Sequence, residues 1–163
     1  MTQNDLFIKR DRMRYTKDGL SSGLVLLAIV FNVLYFVSIY QSDVGRYYYT
    51  WQIGLSIIYN LLFLLIAFLA SQGVKSRKDG YGLTLLFLGV MQIVRVFYLP
   101  AKAHSAEVEI GTEKLRVMGN GQYTYVVICL AVSAVCCIVA AATSYISNKQ
   151  LAQHMRELEN QKN

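Results

Sequence analysis

The chain has 163 residues, of which 55% are hydrophobic and 16% are charged, and its formal net charge is +6. Four apolar stretches of about twenty residues take up roughly half of the chain, so little sequence remains for a soluble domain. The excess of positive charge indicates the orientation of these stretches in a membrane. We therefore expect no nucleic-acid partner. The stretches cover residues 20–40, 50–70, 81–100 and 123–146.

Each stretch reaches about 30 Å as a helix, which matches the hydrocarbon thickness of a bilayer. The first stretch is too long for the apolar part of a signal peptide and is followed by no small-residue cleavage pattern, so we expect it to remain as a helix. The predicted fold is an all-α integral membrane bundle of four antiparallel transmembrane helices over residues 19–147. A basic segment, 1–18, precedes it and a helical tail, 148–163, follows.

The distribution of basic residues predicts the orientation. Of the 16 Lys and Arg residues, eleven lie in the N-terminal segment, in the loop after the second stretch and in the tail, whereas four lie in the other two loops. By the positive-inside rule, both termini face the cytoplasm, and the expected location is a plasma membrane or a bacterial cytoplasmic membrane. The N-terminal segment also predicts contact with anionic lipid. Its basic residues are Lys9, Arg10, Arg12, Arg14 and Lys17.

The first three stretches each contain one amide near the predicted midplane, namely Asn32, Asn60 and Gln92. Polar side chains inside a membrane are costly unless they have partners, so amides at one depth predict a cluster. Gln52 and Ser56 precede Asn60 at intervals of four residues, which gives the second helix a polar stripe that should face inward.

Arg95 lies one turn after Gln92 and is the only charged residue well inside a stretch. About eleven strongly apolar residues contribute roughly −3 to −7 kcal/mol to insertion of the third stretch, against about +2.5 to +3.5 kcal/mol for a central Arg. Because Pro100 ends the stretch five residues later, we expect the Arg95 side chain to snorkel outward to the headgroups. The alternative is a buried role, in which Arg95 binds an anionic ligand, holds a partner's carboxylate or organises the amides.

The loop at 101–122 contains the clearest local pattern outside the stretches. A two-residue turn at Gly111-Thr112 would pair Glu107 with Arg116, Val108 with Leu115 and Glu109 with Lys114. This register predicts a small extracytoplasmic β-hairpin. Because an isolated hairpin is marginal in water, we expect its apolar face to cap the bundle; contact with another protein is the alternative.

The fourth stretch is rich in small residues, which let helix backbones approach closely. The sequence leaves open whether the packing partner is this bundle or a second chain. The predicted packing residues are Ala131, Ser133, Ala134, Cys137, Ala140, Ala141 and Ser144.

No pattern of residues indicates catalysis. The three cysteines all lie in the fourth stretch without a C-x-x-C spacing, and His104 and His154 belong to opposite sides of the predicted membrane, so neither a redox centre nor a metal site is expected. The stretches contain no His, Asp, Glu or Lys to activate a nucleophile. We therefore expect neither an enzyme nor a cofactor.

Two functional interpretations follow. The first is a non-enzymatic subunit, assembly factor or accessory factor that works through helix contacts in a homo-oligomer or a larger membrane complex. The alternative is a small transporter or channel that uses the midplane amides, with Arg95 as an anion or partner contact. The stretches contain no carboxylate for proton coupling, which counts against one common transport mechanism.

Overall fold

The computed structural model describes residues 18–40, 50–78, 80–110 and 113–160. In this part of the chain there are four helices and one pair of strands. All four helices are long and apolar enough to cross a membrane, which identifies a multi-pass helical bundle. The elements are α1 (Gly19–Tyr40), α2 (Thr50–Lys75), α3 (Tyr81–Ser105), β1 (Glu107–Ile110), β2 (Glu113–Arg116) and α4 (Asn120–Asn160).

Three of the helices extend beyond the apolar stretches. Helix α2 reaches Lys75, and α3 passes through Pro100 to Ser105. Pro100 lacks the N–H that would donate to the Val96 carbonyl oxygen, and its ring crowds that carbonyl, so the hydrogen-bond ladder of α3 is interrupted about one turn before the helix ends. Helix α4 has 41 residues and continues through the polar tail to Asn160. At 1.5 Å per residue it is about 60 Å long, roughly twice the hydrocarbon thickness.

Helices α1 and α4 form the centre of the bundle. Helix α4 packs extensively against both α1 and α3, α2 packs chiefly against α1, and α2 and α3 contact each other least among these pairs. The closest approach of α3 to α4 is at Gly89, where an added Cβ would lie 2.7 Å from the Ile138 side chain and 3.2 Å from the Ala134 carbonyl oxygen. Small residues therefore do permit close backbone packing in this bundle.

Six of the seven small residues predicted to pack are buried within the chain itself: Ser133, Ala134, Cys137, Ala140, Ala141 and Ser144. Ala131 is exposed on the outside of the bundle, so it does not pack inside this chain, and its packing against a second chain stays a prediction. It lies two residues before Ser133, or about 200° around α4, and therefore on the opposite face.

Two apolar clusters fill the interior along the bundle axis. The loop-end cluster lies toward the α2–α3 loop and includes Val25, Phe63 and Leu85. The hairpin-end cluster lies toward β1–β2 and includes Tyr35, Ile39 and Met118. In contrast, the outward faces carry exposed apolar side chains on every helix, an arrangement suited to hydrocarbon rather than water.

Asp18 fixes the start of α1 at the loop end. Its carboxylate accepts hydrogen bonds from the Ser21 backbone N–H at 3.1 Å and the Ser21 hydroxyl at 2.6 Å, and its own N–H donates to the Lys75 carbonyl at 3.1 Å. Burial disfavours the ionised carboxylate, but the Ser21 and Ser147 hydrogen bonds and the Arg77 charge together hold the pKa of Asp18 below its ordinary value. Asp18 thus ties α1 to the end of α2 as well as capping it.

Strands β1 and β2 are antiparallel, and their register pairs Glu107 with Arg116, Val108 with Leu115 and Glu109 with Lys114. These are the pairs that the sequence predicts; the turn at 111–112 lies outside the described residues. After β2, the Val117 N–H donates to the Ala106 carbonyl at 3.1 Å, and Val117 packs against the hairpin-end cluster. The strand pair is therefore attached to the end of the bundle where α3 finishes and α4 begins.

Candidate functional site

The amides of α1, α2 and α3 meet inside the bundle, where all three side chains are buried. Gln92 Nε2 donates to Asn32 Oδ1 at 2.9 Å, and Asn32 Nδ2 donates to Asn60 Oδ1 at 3.4 Å. Asn60 Nδ2 in turn donates to the Ser56 carbonyl oxygen, one turn earlier in α2, at 2.8 Å. One chain of hydrogen bonds thus joins three helices at the level between the two apolar clusters.

Helix α4 joins this network through Ser133, which the sequence suggested only as a packing residue. Gln92 Nε2 lies 3.5 Å from Ser133 Oγ, and the Ser133 hydroxyl donates to the Ala28 carbonyl oxygen at 3.0 Å. Ser56 is buried on the α2 stripe, while the side chain of Gln52 lies outside the described residues. The same is true of the N-terminal basic residues 9–17 that were expected to contact lipid.

Arg95 points into the bundle and is only 7% exposed, so the expectation that it snorkels to the headgroups is wrong. Its Nη1 donates to Asn32 Oδ1 at 3.2 Å. The guanidinium carbon lies 4.3 Å from the ring centre of Tyr35 and 4.8 Å from that of Tyr59. Cation–π contacts contribute about 0.5 to 2 kcal/mol each and a charged hydrogen bond about 1.5 to 3 kcal/mol, which together offset the cost of leaving the headgroup region.

Tyr35 and Tyr59 were not among the predicted site residues. Their positions contain a signal nevertheless. Tyr35 follows Asn32 by three residues, so both lie on one face of α1, and Tyr59 immediately precedes Asn60 in α2. A tyrosine next to a buried amide, away from the interface, is a candidate neighbour of an intramembrane cation.

Three polar atoms around the guanidinium are buried and have no hydrogen-bond partner within the described part of the chain. They are Arg95 Nη2, Gln92 Oε1 and the Tyr59 hydroxyl oxygen. No Asp or Glu occurs in residues 19–40, 50–75, 81–105 or 120–156, so the helices offer Arg95 no carboxylate to neutralise it. Orphan buried groups of this kind usually indicate a binding role or an unseen partner.

We call Asn32, Tyr35, Tyr59, Gln92 and Arg95 the Arg95 site. It offers one permanent positive charge with an unpartnered N–H group, a phenol that can donate or accept, and one unpartnered amide oxygen, all buried within the described residues, which together suit a small anionic group. Among the described residues no group of three or more His, Cys, Asp or Glu side chains is placed to hold a metal ion. Comparison of the chain with protein-family models, curated proteins and solved structures finds no match.

Proposed function

We propose that this protein is a non-enzymatic multi-pass membrane carrier that receives an anionic group inside its four-helix bundle, with Arg95 as the binding residue. The observation that supports this most strongly is a buried guanidinium that has an N–H without a partner among the described residues and no carboxylate in the apolar part of any helix. A counter-charge beside a permanent charge in a low-dielectric interior lowers the electrostatic free energy by several kcal/mol. An anion that binds from outside the chain can supply this counter-charge.

The accessory-subunit interpretation loses one of its supports. The small residues of α4 suggested a lateral partner, but six of the seven pack against this chain's own helices. The remaining observation in its favour is the length of α4, whose last turns project past the other helices as a surface for contact. We therefore rank a carrier first and a subunit of a membrane complex second.

We also propose that both termini face the cytoplasm and that the β1–β2 pair lies on the outer side of a plasma membrane or bacterial cytoplasmic membrane. The support is the excess of Lys and Arg at the loop end and in the terminal segments. In this orientation Arg95 lies in the outer half of the bilayer, ten residues or about 15 Å along α3 from the end at Ser105.

The test is charge movement in proteoliposomes on a solid-supported membrane, with acetate, octanoate, phosphate and sulfate added in turn. We expect at least one anion to evoke a current with the wild-type protein and Arg95→Gln to abolish it, because Gln cannot supply the counter-charge. Lys75→Gln is the matched control, since Lys75 is an exposed cation at the other end of the bundle.

Absence of current with every anion, or an unchanged current in Arg95→Gln, would rule out the carrier. If, in addition, the wild-type protein extracted in a mild detergent brings down a stoichiometric partner, the subunit function replaces it. Circular dichroism of each variant establishes that the helices remain formed.

A further inference from the structure

The Arg95 site is closed along the bundle axis on the sides where the structure describes the packing. The hairpin-end cluster places Ile39, Met118 and Val126 beyond it in one direction, each at most 2% exposed. The loop-end cluster lies beyond it in the other direction, with Phe63 and Leu85 equally buried. A ligand that travelled between α1, α3 and α4 would therefore have to displace well-packed core side chains.

Among the neighbouring helices of the bundle, α2 and α3 pack least closely against each other. Tyr59 of α2 contacts α3, because its ring covers the Arg95 guanidinium. This residue is only half-buried, and its hydroxyl oxygen has no hydrogen-bond partner in the part of the chain that the structure describes. Rotation of one side chain would therefore uncover the guanidinium from the side of the bundle. Side-chain rotations of this kind are far faster than helix rearrangements.

The surface around the boundary between α2 and α3 is apolar. Leu55 and Leu62 lie one turn to either side of Tyr59 on α2, and they are 56% and 50% exposed. On α3, Tyr98 lies one turn beyond Arg95, and its ring carries the Lys102 ammonium group at 4.7 Å. Seven residues of helix separate the two cations, or about 10 Å, so Lys102 marks the interface and Arg95 lies within the hydrocarbon. The side of the bundle that leads to Arg95 therefore faces lipid tails, not water.

We propose that the anionic group is the carboxylate of a single-chain lipid, a fatty acid, which enters laterally between α2 and α3. The carboxylate binds Arg95 Nη2 and accepts a hydrogen bond from the Tyr59 hydroxyl, and the chain lies against Leu55 and Leu62. This inference rests on the proposed function, because it specifies the ligand of the same site.

The chemistry of the site selects this class of anion. One guanidinium balances one negative charge, so a dianion would leave a net charge buried in a low-dielectric interior. The phosphate of a phospholipid is also a monoanion, but the polar headgroup attached to it would have to leave water together with the phosphate. Among the described residues, the Arg95 site has only three unpartnered polar atoms to receive both groups. A carboxylate uses these atoms and leaves only its hydrocarbon chain outside the site.

The experiment measures binding of dodecanoate to the purified full-length protein in a non-ionic detergent, by titration calorimetry against protein-free micelles. We expect saturable binding of one dodecanoate per chain. Arg95→Gln should weaken it by about 10- to 100-fold and Tyr59→Phe by about 2- to 10-fold, while Lys75→Gln leaves it unchanged. Arg95→Lys keeps the charge but not the planar guanidinium, so its affinity for dodecanoate should fall between those of the wild type and Arg95→Gln. Arg95→Lys replaces Arg95→Gln as the test variant if the Gln variant does not fold.

Acetate, inorganic phosphate and dioleoyl phosphatidylglycerol are the competitors. Failure of all three to displace dodecanoate supports the proposal. Displacement by acetate or phosphate at similar concentration, or by the phospholipid, overturns the fatty-acid assignment but leaves anion binding at Arg95 intact. Dodecanoate binding that survives in Arg95→Gln overturns the assignment to this site. Dodecanoate binding that depends on Arg95, without any current in proteoliposomes, would contradict the carrier function but support the Arg95 site as a binding site.

Discussion

Asn32 is the residue on which the Arg95 site depends. Its Oδ1 accepts hydrogen bonds from both Gln92 and Arg95, while its Nδ2 donates to Asn60, so one amide contacts the polar side chains of two other helices. An amide can do this because it presents an acceptor with two lone pairs and a separate donor group. The dipole of Asn32, not a charge, therefore orients the Arg95 guanidinium.

Asn32→Asp tests this arrangement by giving Arg95 a carboxylate of its own. The Asp carboxylate still accepts hydrogen bonds from Gln92 and Arg95 and neutralises the guanidinium, so we expect anion binding to fall at least about 10-fold. It also loses the Nδ2 donor to Asn60, at a cost of about 1 to 3 kcal/mol that the ion pair with Arg95 offsets in part. Asn32→Leu, in contrast, removes the acceptor for two buried donors and should lower the free energy of unfolding by about 2 to 5 kcal/mol. The measurements are dodecanoate titration and the midpoint of thermal unfolding in detergent. Wild-type affinity in Asn32→Asp would mean that anions do not bind at Arg95.

The amides of this site could be anticipated from the sequence, but the conformation of Arg95 could not. Asn32, Asn60 and Gln92 stand out because polar residues in apolar stretches are few and their depth can be counted from the helix ends. Whether Arg95 turns inward or outward depends on what its side chain meets after the helices pack. The rings of Tyr35 and Tyr59 provide that contact, and they come from two other helices.

At the scale of the elements, the contact between α3 and α4 at Gly89 leaves no room for a side chain. At Gly89 an added methyl group would lie within 3.2 Å of the Ala134 carbonyl oxygen, which belongs to the backbone and cannot rotate away. At Gly82, two turns earlier, the nearest atoms of α4 are 3.7 Å from the same position. The two glycines therefore form a matched pair on one helix.

Gly89→Ala should separate α3 from α4 and cost about 1 to 3 kcal/mol of stability, because an overpacked contact must be relieved by a backbone shift. Gly82→Ala has room for the methyl group and should be neutral or stabilising by up to about 1 kcal/mol, since Ala favours helix over Gly. Thermal unfolding of both variants in the same detergent checks this. Equal midpoints for the two variants would contradict the close approach.

The existence of the helices followed from composition, whereas the ends of two of them did not. Apolar length predicts that a helix crosses the membrane, but α2 and α3 continue into polar sequence, where hydrophobicity gives no signal. Helix α4 continues through the segment that the sequence predicts as a helical tail, as far as Asn160. Pro100 shows the difficulty, since a proline is a reasonable place to end a helix, yet α3 continues past it to Ser105.

At the scale of the whole molecule, the orientation in the membrane can be measured by labelling single introduced cysteines, because the native cysteines are shielded from the reagent. Cys129, Cys136 and Cys137 are all buried in the bundle. Gly111→Cys should react with a membrane-impermeant maleimide in intact cells, while Lys162→Cys should react only after permeabilisation, because the basic segments hold the termini inside. The wild-type protein supplies the unlabelled control. Labelling of both variants from one side would contradict the crossing of the membrane by α4, which separates the two positions.

The packing order of the bundle was beyond the reach of the sequence. Short loops predict that sequential helices are neighbours, yet α2 and α3 contact each other less than α1 contacts α4. The small residues of α4 allow α1 and α3 to approach this helix closely, which the lengths of the loops do not reveal.

Helix α4 joins the Arg95 site to the far end of the molecule through one unbroken rod. Ser133 contacts Gln92 near its middle, and 27 residues, or about 40 Å of helix, separate Ser133 from Asn160. Between these two points α4 is also held by Arg77, whose Nη1 donates to the Ser147 carbonyl oxygen at 3.1 Å. A change in the tilt of α4 would therefore move Ser133 and Ser147 together, and so would connect the Arg95 site with the loop between α2 and α3.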